Sequence, residues 1–60
     1  MKLRIHHRDD EPDTELLGVL SIHFDQNNEA IIRHLHPRSP ERKQIYRKEV
    51  KHIAYIEIGE

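Results

Sequence analysis

Three of the chain's six histidines, His23, His34 and His36, lie on either side of the sequence DQNN at residues 25–28. Asp and Asn accept the backbone conformations of tight turns, so this sequence predicts a hairpin between two strands. A two-residue loop at Asn27 and Asn28, or a four-residue loop, would place all three imidazoles on one face. With the shorter loop, His34 is diagonal to His23, at about 7–8 Å. Imidazole nitrogens are good zinc ligands, and three of them would leave one coordination position open for water.

The same histidines have a simpler interpretation. Only Asp25 could orient them, although zinc-binding histidines usually have a carboxylate or carbonyl partner. Their face also carries Leu17, Val19, Ala30 and Ile32, so the imidazoles would pack there as amphipathic side chains of a half-buried sheet. The sequence therefore predicts no metal and no cofactor, and the three histidines are the candidates for a metal-binding alternative.

Other residues could act through charge. Residues 38–52 carry six Lys or Arg against two Glu, whereas residues 9–15 carry five acids and no base. The cations could contact phosphates, and Tyr46 or Tyr55 could stack on a base, which defines a nucleic-acid-binding alternative. A net charge of −1 argues against it, because nucleic-acid-binding domains are usually basic overall. The candidate residues of this basic surface are Arg38, Arg42, Lys43, Arg47, Lys48 and Lys51.

Catalysis is not expected. Gly18 and Gly59 are the only glycines, so the chain cannot build a glycine-rich phosphate-binding loop. Cysteine is absent, which excludes disulfides and thiolate metal sites. A chain of 60 residues also encloses little pocket for a substrate. The sequence therefore predicts a non-enzymatic protein.

Alternation of apolar and polar residues predicts a mainly β fold. Residues 2–8 alternate along one strand, and residues 16–24 and 29–36 form the two strands of the hairpin. Residues 53–58 form the last strand. Gly18 lies within the second strand and indicates a bulge or a strong bend.

Residues 40–51 allow two interpretations. Ser39 could cap a helix with Pro40 at its first position, giving an α+β alternative with one helix at about 40–51 beside an antiparallel sheet. The parity of Tyr46 and Val50 instead fits a strand followed by one helical turn. In that case the order of a long first loop, a central hairpin and a one-turn helix before the last strand resembles an SH3-like five-stranded barrel. The resemblance is one of architecture and implies no residue roles.

Size and the two apolar faces of the hairpin favour an interaction protein. The chain makes one small domain, residues 1–60, and a domain of this size buries only about 60% of its unfolded surface. A thin sheet covers one of its faces, and the other calls for a partner. The sequence predicts a protein-interaction or regulatory module that self-associates through a face containing Val19 and Ile32, like small charged binders of bacteria and phages. It contains neither a membrane span nor a signal peptide, so a cytoplasmic protein is expected.

Overall fold

The computed structural model describes residues 1–59, which form six strands and one 3₁₀ turn. The turn, Val50–His52, connects the last two strands. The mainly β class predicted from the sequence is confirmed. The strands are, in chain order, β1 (Lys2–His7), β2 (Thr14–Leu16), β3 (Val19–Phe24), β4 (Glu29–Leu35), β5 (Lys43–Glu49) and β6 (Ile53–Gly59).

The strands form two antiparallel sheets of three strands, in the orders β2-β1-β6 and β3-β4-β5. The chain passes from the first sheet to the second between β2 and β3, and returns through the 3₁₀ turn between β5 and β6. The long first loop, the central hairpin and the helical turn before the last strand follow the predicted order. The helix alternative for residues 40–51 is wrong, because β5 pairs with β4 from Lys43 to Glu49.

Gly18 divides the segment predicted as one strand over residues 16–24. Its φ is +62°, a left-handed conformation that L side chains rarely adopt. A Cβ at this position would also lie 3.2 Å from the Cβ of Leu35. The backbone therefore changes direction between β2 and β3, and residues 1–59 form six strands where five were predicted.

The core lies between the two sheets. In β1, Leu3 and Ile5 alternate with the exposed Lys2 and Arg4, and in β4 the buried Ala30 and Ile32 alternate with partly buried or exposed residues. Burial of a large aliphatic side chain contributes about 1.5–3 kcal/mol, so a core of this size gives modest stability. Its buried members are Leu3, Ile5, Leu16, Val19, Ala30, Ile32 and Ile53.

Val19 and Ile32 belong to this core, with exposed fractions of 6% and 0%. The prediction that they form a surface for self-association is therefore wrong. The sequence suggested a hairpin with two open faces, but the β2-β1-β6 sheet covers one of them with Leu3 and Ile5.

The hairpin between β3 and β4 closes through three residues, 26–28. The N–H of Asp25 donates to the carbonyl of Glu29 at 3.0 Å, and Asn28 has a φ of 60°. The Asp25 carboxylate accepts the N–H groups of Asn27 and Glu29, both at 3.0 Å. This Asp supplies the local hydrogen bonds that make Asp a common turn residue.

No helix within residues 1–59 is long and apolar enough to cross a membrane.

Candidate interaction face

The three candidate histidines do not share a face. His23 pairs with Ile31, whereas His34 pairs with Val19, a core residue. Directly paired residues of antiparallel strands project to the same side, so His23 and His34 project to opposite sides of the sheet. The predicted two-residue or four-residue loop keeps them together, but the observed three-residue loop shifts the register by one and separates them. His36 lies beyond the end of β4, and within residues 1–59 no three His, Asp or Glu side chains could hold a metal ion.

His23 instead contributes to the side of the β3-β4-β5 sheet that faces away from the core. The strand register places residues of all three strands on this side, and most of them line one shallow groove. We call this surface the outer face. Its residues are Ser21, His23, Glu29, Ile31, Arg33, Leu35, Lys43, Ile45, Arg47 and Glu49.

At the centre of the outer face, two isoleucines and two arginines alternate. Ile31 lies opposite Arg47, and Arg33 lies opposite Ile45. The isoleucines occupy one diagonal and the arginines the other, and diagonal neighbours are about 7–8 Å apart, within reach of long side chains. Ile45 is 56% exposed. Lys43 follows on β5, diagonal to Arg33, so three cations surround an exposed apolar side chain.

Two cations of the outer face, Arg33 and Lys43, lack an acidic partner within residues 1–59, whereas Arg47 has Glu29. Within residues 1–59, no carboxylate lies within 4.0 Å of Arg33 or Lys43, and Arg47 reaches Glu29 only at 4.0 Å. Arg38 and Arg42, in the loop before β5, likewise have no acid within that distance in the same part of the chain. Their charge therefore contributes an uncompensated positive potential at this end of the sheet.

The acidic segment 9–15, by contrast, is engaged with the protein's own side chains. The hydrogen bond from Arg4 lowers the pKa of Glu15 below its usual 4.5. Four side-chain contacts of this segment fasten the first loop and β2 to the strands beside them. The pairs are Asp9 with His52 at 3.0 Å, Glu11 with Lys48 at 3.1 Å, Asp13 with His6 at 3.1 Å, and Glu15 with Arg4 at 2.7 Å.

Two of the predicted basic residues are engaged elsewhere. Lys48 pairs with the buried Ala30, so its side chain leaves the outer face and reaches Glu11. Lys51, in the 3₁₀ turn, contacts Glu49 at 3.4 Å. The basic surface predicted over residues 38–51 is therefore divided, and these two lysines do not belong to the outer face.

A buried histidine lies beside the Lys48 contact. The His7 side chain is 2% exposed, and its Nε2 lies 2.8 Å from the Thr14 hydroxyl. Its Nδ1 has no hydrogen-bond partner among the described residues, and the Glu11 carboxylate is 4.0 Å away. His7, Glu11 and Lys48 therefore hold the first loop in place, and these contacts do not involve the outer face.

Neither tyrosine lies on the outer face. Tyr46 packs against the core, and Tyr55 lies on β6 in the other sheet. The ring of Tyr55 stacks on His6, with 4.1 Å between ring centroids and 14° between planes. The structure therefore does not bring the tyrosines together with the basic residues as base-stacking platforms.

Sequence reasoning missed Arg33, Ile31 and Ile45 as members of this surface. Arg33 lies outside the basic segment and joins it only through the pairing of β4 with β5. A signal was present, since Ile31 and Arg33 have the same strand parity, as do Ile45 and Arg47. This shared parity identifies the outer face only when the register between the strands is known, and the turn sequence does not determine that register.

No family model matches this chain, and the comparisons with curated proteins and with solved structures found no match either.

Proposed function

We propose that this chain is a non-enzymatic, cytoplasmic protein-interaction module that binds an acidic surface of another protein through its outer face. The observation that carries the proposal is the group of cations Arg33, Lys43 and Arg47 around the exposed Ile45. Protein interfaces combine an apolar centre with arginine, and a partner carboxylate would supply the counter-charge that Arg33 and Lys43 do not find within residues 1–59.

A protein partner accounts for more of this surface than a nucleic acid does. Phosphate contacts use the cations but leave Ile31 and Ile45 without a role. Single-stranded nucleic acid usually stacks on aromatic side chains, and the outer face has none apart from the imidazole of His23. Nucleic-acid binding is the second candidate, favoured by Arg38 and Arg42 in the loop next to this face, which have no acidic partner within residues 1–59.

Self-association, expected from the sequence, stays a proposal, but it needs a surface other than the buried face that contains Val19 and Ile32. Two outer faces packed against each other would bring Arg33 and Arg47 of one copy near those of the other, and like charges oppose such packing. An acidic partner meets no such opposition, so it is the partner we favour.

The test compares three baits in affinity capture from cell extract at physiological salt: wild type, R33E/R47E, and the control K2E/K51E. The control reverses two exposed cations outside the outer face. Proteins bound by the wild type and the control but not by R33E/R47E support the proposal. Equal capture by all three baits would overturn it, and capture that disappears after nuclease treatment would favour the nucleic-acid candidate.

A further inference from the structure

β5 forms an open edge of the sheet. It pairs with β4 along its whole length, and no other strand of residues 1–59 pairs with its second side. None of its seven residues is buried. An open edge presents backbone N–H and C=O groups that can pair with another chain.

The hydrogen bonds at the two ends of the β4–β5 pair show which groups face outward. The N–H of His36 donates to the carbonyl of Arg42 at 2.9 Å, and the N–H of Val50 donates to the carbonyl of Asn28 at 2.8 Å. Both pairs continue the register of β4 with β5. Antiparallel pairs alternate between hydrogen-bonded and non-hydrogen-bonded positions, so the even-numbered residues of β5 bond to β4. The N–H and C=O groups of the odd-numbered residues therefore point to the open edge.

The same odd-numbered residues carry the side chains of the outer face. A strand that adds along this edge would meet Lys43, Ile45, Arg47 and Glu49 in turn, in the order cation, apolar, cation, acid, so an acidic segment would lie along the first three. Charged residues on edge strands often only prevent aggregation. An exposed isoleucine at the centre of the edge is unfavourable for that purpose, whereas it provides an apolar contact for an added strand.

We propose that β5 receives an extended acidic segment of the partner protein as a fourth strand of the β3-β4-β5 sheet. The partner's residues would follow the order acid, apolar, acid opposite Lys43, Ile45 and Arg47. Strand addition of this kind takes affinity from backbone hydrogen bonds and specificity from alternate side chains. The inference rests on the proposed function and adds its binding mode.

A second copy of the chain is a poorer occupant of this edge. Four of the acids in residues 9–15 already contact the chain's own side chains, so they would have to exchange partners to bind. An acidic segment from another protein carries no such cost.

Two synthetic peptides of equal composition test the proposal. One has the central order Glu-Thr-Val-Thr-Glu, and the other has Thr-Glu-Val-Glu-Thr, which moves both acids to the opposite side of an added strand. Calorimetry should show saturable binding of the first peptide and binding at least about tenfold weaker for the second. Equal binding of the two, or no saturable binding of either, would overturn the proposal.

Two variants of Ile45 distinguish the contribution of the backbone N–H to binding from that of the side chain. I45A keeps the edge N–H, whereas I45P removes it and leaves the bonds to β4 intact, as proline is tolerated on the open side of an edge strand. I45P should bind the first peptide about tenfold more weakly than I45A, because a backbone hydrogen bond is lost. Equal affinities would exclude strand addition.

Hydrogen exchange on the wild-type protein gives a result even where I45P fails to fold. The amides of Lys43, Ile45 and Arg47 should become protected when the first peptide is added, and unchanged exchange would exclude strand addition.

Loss of partner binding in R33E/R47E combined with unprotected edge amides would refute the binding mode while leaving the proposed function in place. Partner binding that survives in R33E/R47E would refute the proposed function itself.

Discussion

The side chain of Ile32 is completely buried in the core that also contains Leu3 and Ile5. I32A should lower the free energy of unfolding by about 2–5 kcal/mol, because it leaves a cavity between the sheets. I32D should prevent folding, since a carboxylate would be buried without a partner. Urea unfolding followed by circular dichroism measures both effects.

The neighbouring position supplies the control for this prediction. Ile31 lies on the outer face, so I31A should lower the free energy of unfolding clearly less than I32A does. A folded, monomeric I32D protein would contradict the core assignment and return Ile32 to an interface.

Glu15 gives the stability a pH dependence of known sign. The hydrogen bond from Arg4 lowers the pKa of Glu15 in the folded protein, so the ionised form is favoured there. The resulting stability is present above the unfolded pKa and is lost as the pH falls through the folded pKa. The melting temperature of the wild type should therefore decline as the pH falls below about 4.5, and E15Q should show a shallower decline.

E41Q is the control for this pH profile, because it removes an exposed carboxylate in the loop before β5. Its profile should follow that of the wild type. Identical profiles for E15Q and the wild type would show that the contact with Arg4 does not contribute to stability.

At the scale of the elements, the division between β2 and β3 depends on Gly18. G18A should destabilise the protein by about 1–3 kcal/mol, since alanine is strained in the left-handed conformation and its Cβ would crowd Leu35. G59A is the matched control, because the atom closest to its Cβ is the Lys2 Cε, at the far end of a flexible side chain. Thermal melts that shift equally for the two variants would contradict the role given to Gly18.

Strand periodicity predicted most of the elements because one face of each sheet is buried. Residues 2–8, 29–36 and 53–58 were predicted as strands within about one residue of β1, β4 and β6. The segment 40–51 stayed ambiguous because Ser39 and Pro40 also fit the start of a helix. Pairing with β4 decides between helix and strand, and this pairing is a tertiary contact that the local sequence of residues 40–51 does not specify.

The candidate site was less predictable than the fold for a specific reason. The sequence of residues 25–28 indicates a turn, but it does not indicate whether two or three residues close it. One residue of register moves every side chain of a strand to the other side. This difference separated His23 from His34 and placed Ile32 in the core.

At the scale of the whole molecule, the net charge of −1 conceals an uneven distribution of available charge. Most acids of the first loop contact cations or histidines of the same chain. Arg33 and Lys43 have no such contact within residues 1–59. Arg33 and Lys43 are therefore free to attract an acidic partner electrostatically.

Salt dependence separates the two kinds of association that a positive outer face permits. Binding of an acidic partner brings opposite charges together, so its dissociation constant should rise with salt as the Debye length shortens from about 30 Å at 0.01 M to about 8 Å at 0.15 M. Self-association through the outer face brings Arg33 and Arg47 near their counterparts, so its dissociation constant should fall over the same range. Light scattering of the chain alone, and calorimetry with the acidic peptide, measure the two trends. A dimer that is tight at 0.01 M salt and dissociates as salt is added would show that the chain pairs through complementary charges, and the outer face would then not be the self-association surface.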